Sequence, residues 1–404
     1  MTEKNSKEKT AGWLVQPAVN VGTAGHVDHG KTTLVSALTG EWTGKHSEEI
    51  KRGITIRLGY ADASVFHCKQ DDVFSTKPEC ASGHAAEFVR KISFVDCPGH
   101  ESLMTVMISG ASLMDGALLV IAANEPCPQQ QTFEHLQALN IAGIKNVVIV
   151  QNKVDLVTRE AAKINYAQIK EFVKGTVAEN APIIPIVANY GVNMENLVKA
   201  IQDFIPTPKR DLEKDFRMVS AHSFDVNKPG TLISDLKGGV VGGSIIRGKV
   251  KEGDEIEIQP GIEVKGKYEP FLTRVSSVAI KDGVVKEAHA GGLVALATLL
   301  DPSLTKSDRL IGSLIGKPGS LPKPLSDVRF ETHLLKTIKE PIKKGDLLVL
   351  NVATSTTAGL VVDVRKAEVE MKLKKPICGD KGDKVVVSKR VGNRWSLVGY
   401  GILK

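Results

Sequence analysis

The run Gly25-His26-Val27-Asp28-His29-Gly30-Lys31-Thr32 constrains this chain more than any other feature, because it sits between a strand pattern and a helical one. Val19, Val21 and Thr23 precede it, and Thr33-Leu34-Val35-Ser36-Ala37-Leu38 follow. A glycine-rich turn at a helix N-terminus gathers backbone N–H groups onto phosphate oxygens. Gly25 and Gly30 permit the backbone angles, Lys31 neutralises the terminal phosphates, and the Thr32 hydroxyl is placed to ligate Mg²⁺. His26, Asp28, His29 and Thr33 complete the expected cradle. The spacing therefore predicts a nucleoside triphosphate site at the carboxyl end of a parallel strand.

Two further strand ends refine that site. Asn152-Lys153-Val154-Asp155 follows the apolar stretch 146–151. There the Asp155 carboxylate accepts from the N1–H and 2-amino groups of guanine, donors that adenine lacks. Asp96-Cys97-Pro98-Gly99-His100 ends the strand pattern 91–95. Asp96 is expected to hold Mg²⁺ through water and Gly99 to donate to the γ-phosphate. Between these lies Glu48-Glu49-Ile50-Lys51-Arg52-Gly53-Ile54-Thr55-Ile56, where Thr55 offers the metal a second hydroxyl while the γ-phosphate is present. The segment reads as an order–disorder switch.

The segments GHVDHGKTT, RGITI, DCPGH and NKVD together resemble the translational GTPases. IRLGYADA, NEPCPQQQT, KGTVAENAPIIPI, SFDVNKPG, LKGGVVGGSI and GGLVALATLLDPSLTKSDRL narrow the resemblance to the γ subunit of translation initiation factor 2, closer to its eukaryotic form. These blocks cover nearly the whole chain. The resemblance implies that His100 orients the attacking water beside an apolar gate of Val27 and Ile54, with Asp28 in the same catalytic set. It implies slow intrinsic GTP hydrolysis stimulated by an activating protein, and GTP/GDP exchange aided by a second factor. It further implies binding of methionyl initiator tRNA, delivery to the small ribosomal subunit, and assembly with α and β subunits, α on the first barrel and β on the nucleotide domain. Tyr60 falls near the expected pocket for the methionylated tRNA end; the rival reading is a tyrosine packed at a strand end. One departure from the family is Val187-Ala188 where a Ser-Ala pair closes over the base, leaving only the Ala188 N–H for guanine O6. The alternatives are an elongation-type or selenocysteine-type aminoacyl-tRNA carrier and, further off, a metabolic GTPase.

With 404 residues, 42% hydrophobic and 25% charged, the chain supports several globular cores. Five scattered cysteines argue for a reducing compartment. No apolar run approaches a membrane span, so a cytoplasmic protein without membrane contact is expected. Charge is uneven: residues 323–404 carry 17 Lys and Arg against 9 Asp and Glu, the rest 36 against 37. That asymmetry favours a polyanionic partner of the last domain.

Alternating strand and helix patterns predict a polar tail over 1–13 and an α/β P-loop GTPase domain over 14–207, a mostly parallel sheet with helices on both faces. Short strands punctuated by glycine, including Gly242-Gly243, predict antiparallel β-barrels over 208–322 and 323–404. An insert over 67–84 holds His67, Cys68, Cys80 and His84. Each half carries one cysteine where a zinc knuckle needs a pair, and adjacent His67 and Cys68 strain a tetrahedral site, so the insert is expected to be metal-free.

Overall fold

The computed structural model describes residues 14–44, 49, 55–80, 82–100, 103–335, 338, 340–391 and 394–404. In the first domain the strands are β1 (Val19–Ala24), β2 (Gly59–Cys68), β3 (Val73–Ser75), β4 (Glu87–Asp96), β5 (Gly116–Ala122), β6 (Val147–Asn152) and β7 (Ile183–Pro185). They form one sheet in the order β3-β2-β4-β1-β5-β6-β7. Neighbours from β4 through β7 run parallel, whereas β2 pairs antiparallel with both β3 and β4. The helices are α1 (Lys31–Thr39), α2 (Met104–Ala111), α3 (Gln130–Ala142), α4 (Arg159–Phe172) and α5 (Met194–Phe204).

Strict alternation in the central strands divides the core. Ala117, Leu119 and Ile121 of β5 point to one face with Val147 and Ile149 of β6, and join Met107 of α2, Leu136 of α3 and Ile169 of α4. Leu118, Val120, Val148 and Val150 point to the other face and meet Leu34 of α1 and Leu197 of α5. Because both faces are covered, these strands read as continuous apolar runs. The carboxyl ends of β1, β4 and β6 lie along one edge of the sheet, where open α/β sheets bind ligands.

The first barrel closes from six strands: β8 (Arg217–Phe224), β9 (Val240–Arg247), β11 (Glu255–Val264), β12 (Lys267–Ile280), β15 (Val294–Thr298) and β16 (Leu314–Gly316). The short strands β10 (Lys249–Lys251), β13 (Gly283–Val285) and β14 (Glu287–His289) flank this ring. Gly242 and Gly243, expected in a turn, lie inside β9. A Cβ on Gly243 would stand 1.9 Å from Val219 O, so this strand needs glycine for close approach to β8 rather than for bending. The second barrel closes in the order β17-β20-β19-β18-β21-β22, from β17 (Leu325–Leu334), β18 (Leu347–Val352), β19 (Ser355–Arg365), β20 (Glu368–Ile377), β21 (Lys384–Val391) and β22 (Arg394–Leu403).

Two compact units result. One contains Val19–Pro208, Ser326–Lys375 and Lys381–Lys404; the other contains Lys209–Leu325, Pro376–Asp380 and the described residues up to Ala18. Within the first unit, Val386 and Leu397 of the second barrel share a core with α2 and α3. Among the described residues, no helix is long and apolar enough to cross a membrane.

Candidate nucleotide-binding site

The loop between β1 and α1 is held from behind by groups remote in sequence. A Cβ on Gly25 would lie 2.2 Å from Val120 O, so β5 leaves room there only for glycine. The Gly25 N–H donates to His135 Nδ1 at 2.9 Å, an acceptor buried on α3. Burial, aided by the nearby Lys31 charge, holds this imidazole well below its ordinary pKa and hence neutral. The His29 ring is also buried, 3.1 Å from Val120 O and 3.3 Å from Glu125, and burial lowers its pKa. His26 and His29 thus serve the loop through their carbonyls, and their rings are not among the side chains lining the cavity in front of it.

That cavity has a volume of about 770 Å³. At the end nearest the loop it is lined by Val27, Asp28, Gly30, Thr33, Gly99 and His100, all among the residues the sequence singles out. Ile54 lies outside the described residues. Lys31 is only 6% exposed, and its ammonium donates to Gly25 O at 3.0 Å and His26 O at 2.5 Å. Burial pulls its pKa down to about 8, against the opposing pull of Asp96. A Cβ on Gly99 would come within 2.3 Å of that ammonium and 3.0 Å of Val27 N, so a side chain there would displace the end of Lys31.

Oxygen atoms converge beside it. Thr32 Oγ1 donates to Asp96 Oδ2 at 2.7 Å and lies 3.0 Å from Thr55 Oγ1. Thr23 and Thr43, which the sequence did not single out, also donate to Asp96, at 3.0 and 2.7 Å. Burial raises the Asp96 pKa, and these hydroxyls oppose that rise. A second unforeseen residue is Glu49, whose Oε1 accepts from the backbone of Ile56 and Arg57 at 2.9 and 3.0 Å. It fastens the chain just beyond Thr55.

At the base end Lys153, in a left-handed conformation (φ 61°), and Asp155 line the cavity with Leu156, Ala188, Asn189 and Tyr190. Asn152 lines the cavity as well. Its amide is a strut: Nδ2 donates to His29 O at 2.9 Å, and Oδ1 accepts from Ala188 N at 3.1 Å. The Ala188 N–H expected to meet guanine O6 is therefore donated to Asn152, because the two loops are close enough to bridge directly.

Tyr60, the second residue of β2, lies opposite Val95 and is partly buried against the α/β core. In the 67–84 insert, His67 stacks on Phe74 at 4.2 Å and pairs with Asp72 instead of joining the cysteines. Asp71 takes that place: it gathers Cys68, Cys80 and His84, with ligand-type atoms all within 4.8 Å. Its Oδ2 accepts from the Cys80 and Cys68 thiols at 3.0 and 3.4 Å. Of the four groups that the sequence offers, Cys68, Cys80 and His84 converge, and His67 is replaced by Asp71. All five cysteines are free.

Downstream of Gly99, α2 is tied to the second barrel. Asn351 Nδ2 of β18 donates to Ser109 Oγ at 3.1 Å and Thr105 O at 3.2 Å, with Thr356 Oγ1 at 2.6 Å.

Comparison with known proteins agrees with this architecture. Residues 16–207 match the elongation factor Tu GTP binding domain, 238–310 elongation factor Tu domain 2, and 326–403 the C-terminal domain of initiation factor eIF2 gamma. Translation initiation factor 2 subunit gamma from Pyrococcus horikoshii is 56% identical over 96% of this chain and 98% of its own length. The protein of the same name from Methanocaldococcus jannaschii is likewise 56% identical with the same coverage. Among solved structures, a bacterial selenocysteine-specific elongation factor EF-Sec superposes with a TM-score of 0.75 at 28% identity, over 96% of this chain and 58% of that one. Elongation factor SelB from Methanococcus maripaludis, solved with the GTP analogue GppNHp, shares the fold at a TM-score of 0.73 and 24% identity, over 97% of this chain and 80% of that one. The loop between β1 and α1, the cavity before it and whole-length identity lead to one conclusion: the chain belongs to the translation initiation factor 2 gamma-subunit family, translational GTPases that hydrolyse GTP.

Proposed function

We propose that this chain is the GTP-binding subunit of an initiation factor 2 heterotrimer, carrying methionyl initiator tRNA to the small ribosomal subunit in the GTP state and releasing it after hydrolysis. The observation that best supports a switch is the 3.0 Å approach of Thr55 to Thr32 beside Asp96, which joins the nucleotide site to the segment fastened by Glu49. Thr32, Thr55 and Asp96 form a set of hard oxygen donors that fits Mg²⁺, with Asp96 acting through water. When bound, the ion supplies neutralisation of charge on the phosphates.

The chain's own residues do the rest in this reading. Lys31 holds the terminal phosphates, Gly99 senses the γ-phosphate, and His100 orients the attacking water, with Val27, Ile54 and Asp28 around it. Positioning of this kind carries most of the work in phosphoryl transfer. Asp155 and Lys153 read the base. A change at Gly99 passes into α2, and Asn351 hands it to the second barrel. Tyr60 lies near the tRNA end, and the basic domain over 323–404 near the acceptor stem. The α subunit docks on the barrel over 208–322 and the β subunit on the domain over 14–207, with activating and exchange factors completing the cytoplasmic cycle. In this reading the insert is held by the Asp71 carboxylate, which accepts from the Cys80 and Cys68 thiols, and not by zinc, because each half brings one cysteine where a zinc knuckle brings a pair.

The deciding experiment measures binding of methionyl initiator tRNA with a GTP analogue and with GDP at one stated salt concentration. Tighter binding with the analogue is expected, and equal affinity removes the switch. Preference for elongator or selenocysteinyl tRNA would favour the alternative carriers.

A further inference from the structure

The base end of the cavity lacks two groups that the family resemblance leads one to expect there. Val187 supplies no hydroxyl, and the Ala188 N–H is donated to Asn152. Of the edge contacts the resemblance leads one to expect, the Asp155 carboxylate remains, and it lines the cavity. Yet the same loop presents a large ring to the cavity. Tyr190 is 77% exposed, the most exposed aromatic among the described residues, and still lines the cavity beside Asp155 and Leu156.

This exposure is built in and is no fraying end. Val187 and Val192 exchange backbone hydrogen bonds of 3.3 and 3.1 Å, Tyr190 N donates to Val187 O at 3.2 Å, and Gly191 turns the chain in a left-handed conformation (φ 66°). Asn193 Nδ2 fixes the far side to Pro185 O at 2.7 Å. The tight turn holds an aromatic plane in water at the mouth of the cavity. An apolar ring so held gains by covering another flat apolar surface, and a purine offers one.

We propose that Tyr190 is the stacking residue for the guanine ring, covering one face of the base and replacing by face contact the affinity that the missing edge contacts forgo. The inference rests on the guanine-nucleotide reading of this cavity. Stacking is indifferent to the pattern of edge donors, so Asp155 selects guanine while Tyr190 adds affinity to any purine.

Calorimetric titration of the full-length protein with GDP, IDP and ADP tests this, using wild type, Tyr190→Ala and Tyr190→Phe. Tyr190→Ala is expected to weaken GDP and IDP in parallel, by about 5- to 50-fold, from the loss of one base–aromatic stack. Tyr190→Phe should stay within about twofold, since the ring and not the hydroxyl acts. Inorganic tripolyphosphate, which has no base, should compete equally well with all three proteins. GDP affinity of Tyr190→Ala within twofold of wild type overturns the proposal, as does a loss confined to GDP or one shared by tripolyphosphate. Wild-type protein that binds ADP as tightly as GDP would instead overturn the guanine reading itself. Because Tyr190 is exposed, thermal unfolding of the variants should match wild type.

Discussion

The two ends of one cavity are built by opposite rules. At the phosphate end the charged groups are buried and already paired by protein: Lys31 by two carbonyls, Asp96 by three threonine hydroxyls. At the base end Leu156 and Tyr190 face solvent, 61% and 77% exposed. Desolvated charge must be compensated before ligand arrives, so the fold fixes that end; exposed apolar surface costs little to hold and leaves affinity for the ligand to complete. The phosphate grip should therefore dominate affinity, and the base end should set identity.

The largest expected effect tests this difference directly. Lys31→Ala should weaken GDP binding by about 10²- to 10³-fold in equilibrium titration, because it removes charge-assisted bonds from a buried site. Asp155→Asn should cost about 30- to 100-fold for GDP and recover part of that for XDP, whose 2-oxo group accepts from the new amide. If Asp155→Asn cost more than Lys31→Ala, the order of the two ends would be reversed.

A pH series separates the ends without mutation. Lys31 titrates near pH 8 in the free protein, and polyphosphate favours its charged form. Binding therefore takes up a proton above that pH, and GDP affinity should fall by up to about tenfold per pH unit above 8. The same shift affects stability. The unfolded chain holds this proton up to about pH 10.4 and the folded chain does not, so the lysine's contribution to stability rises with pH between about 8 and 10.4. A flat affinity profile across pH 7–9.5 would show that the lysine stays charged throughout.

Smaller effects belong to the base loop and the insert. Val187→Ser should change GDP affinity by less than about threefold, since the Ala188 N–H stays with Asn152, while losing about 1–2 kcal/mol in thermal unfolding from the buried valine. Removing zinc with a strong chelator should leave the melting temperature unchanged to within about 1 °C, a shift well below what losing a structural ion produces. A marked drop would replace the hydrogen-bonded Asp71 knot with a metal site.

Much of the phosphate end was legible because its residues are local in sequence. Gly25, Lys31 and Thr32 follow one strand, and Asp96, Gly99 and His100 follow another, so period and spacing located them. Glu49, Thr43 and His135 were not found. Thr43 and His135 each act through a hydrogen bond to a partner far along the chain and Glu49 through two to the backbone, and a lone residue of that kind leaves no periodic trace. The insert shows a related limit: Asp71 stands where a partner cysteine of Cys68 would be, yet only the fold around the β2–β3 hairpin brings it to Cys80 and His84.

By itself, then, the sequence determined the glycine-rich loop after β1, the strand-end residues that gather at one cavity and the succession of one α/β domain and two barrels. Local spacing and alternation encode all of these. Only the tertiary structure decided how the groups are used. Asn152 is the clearest case, since it lines the cavity and also bridges His29 and Ala188, 123 and 36 residues away. The reason is physical: a buried amide must satisfy both its donor and its acceptor, and which partners do so depends on loops that meet only once the sheet has formed.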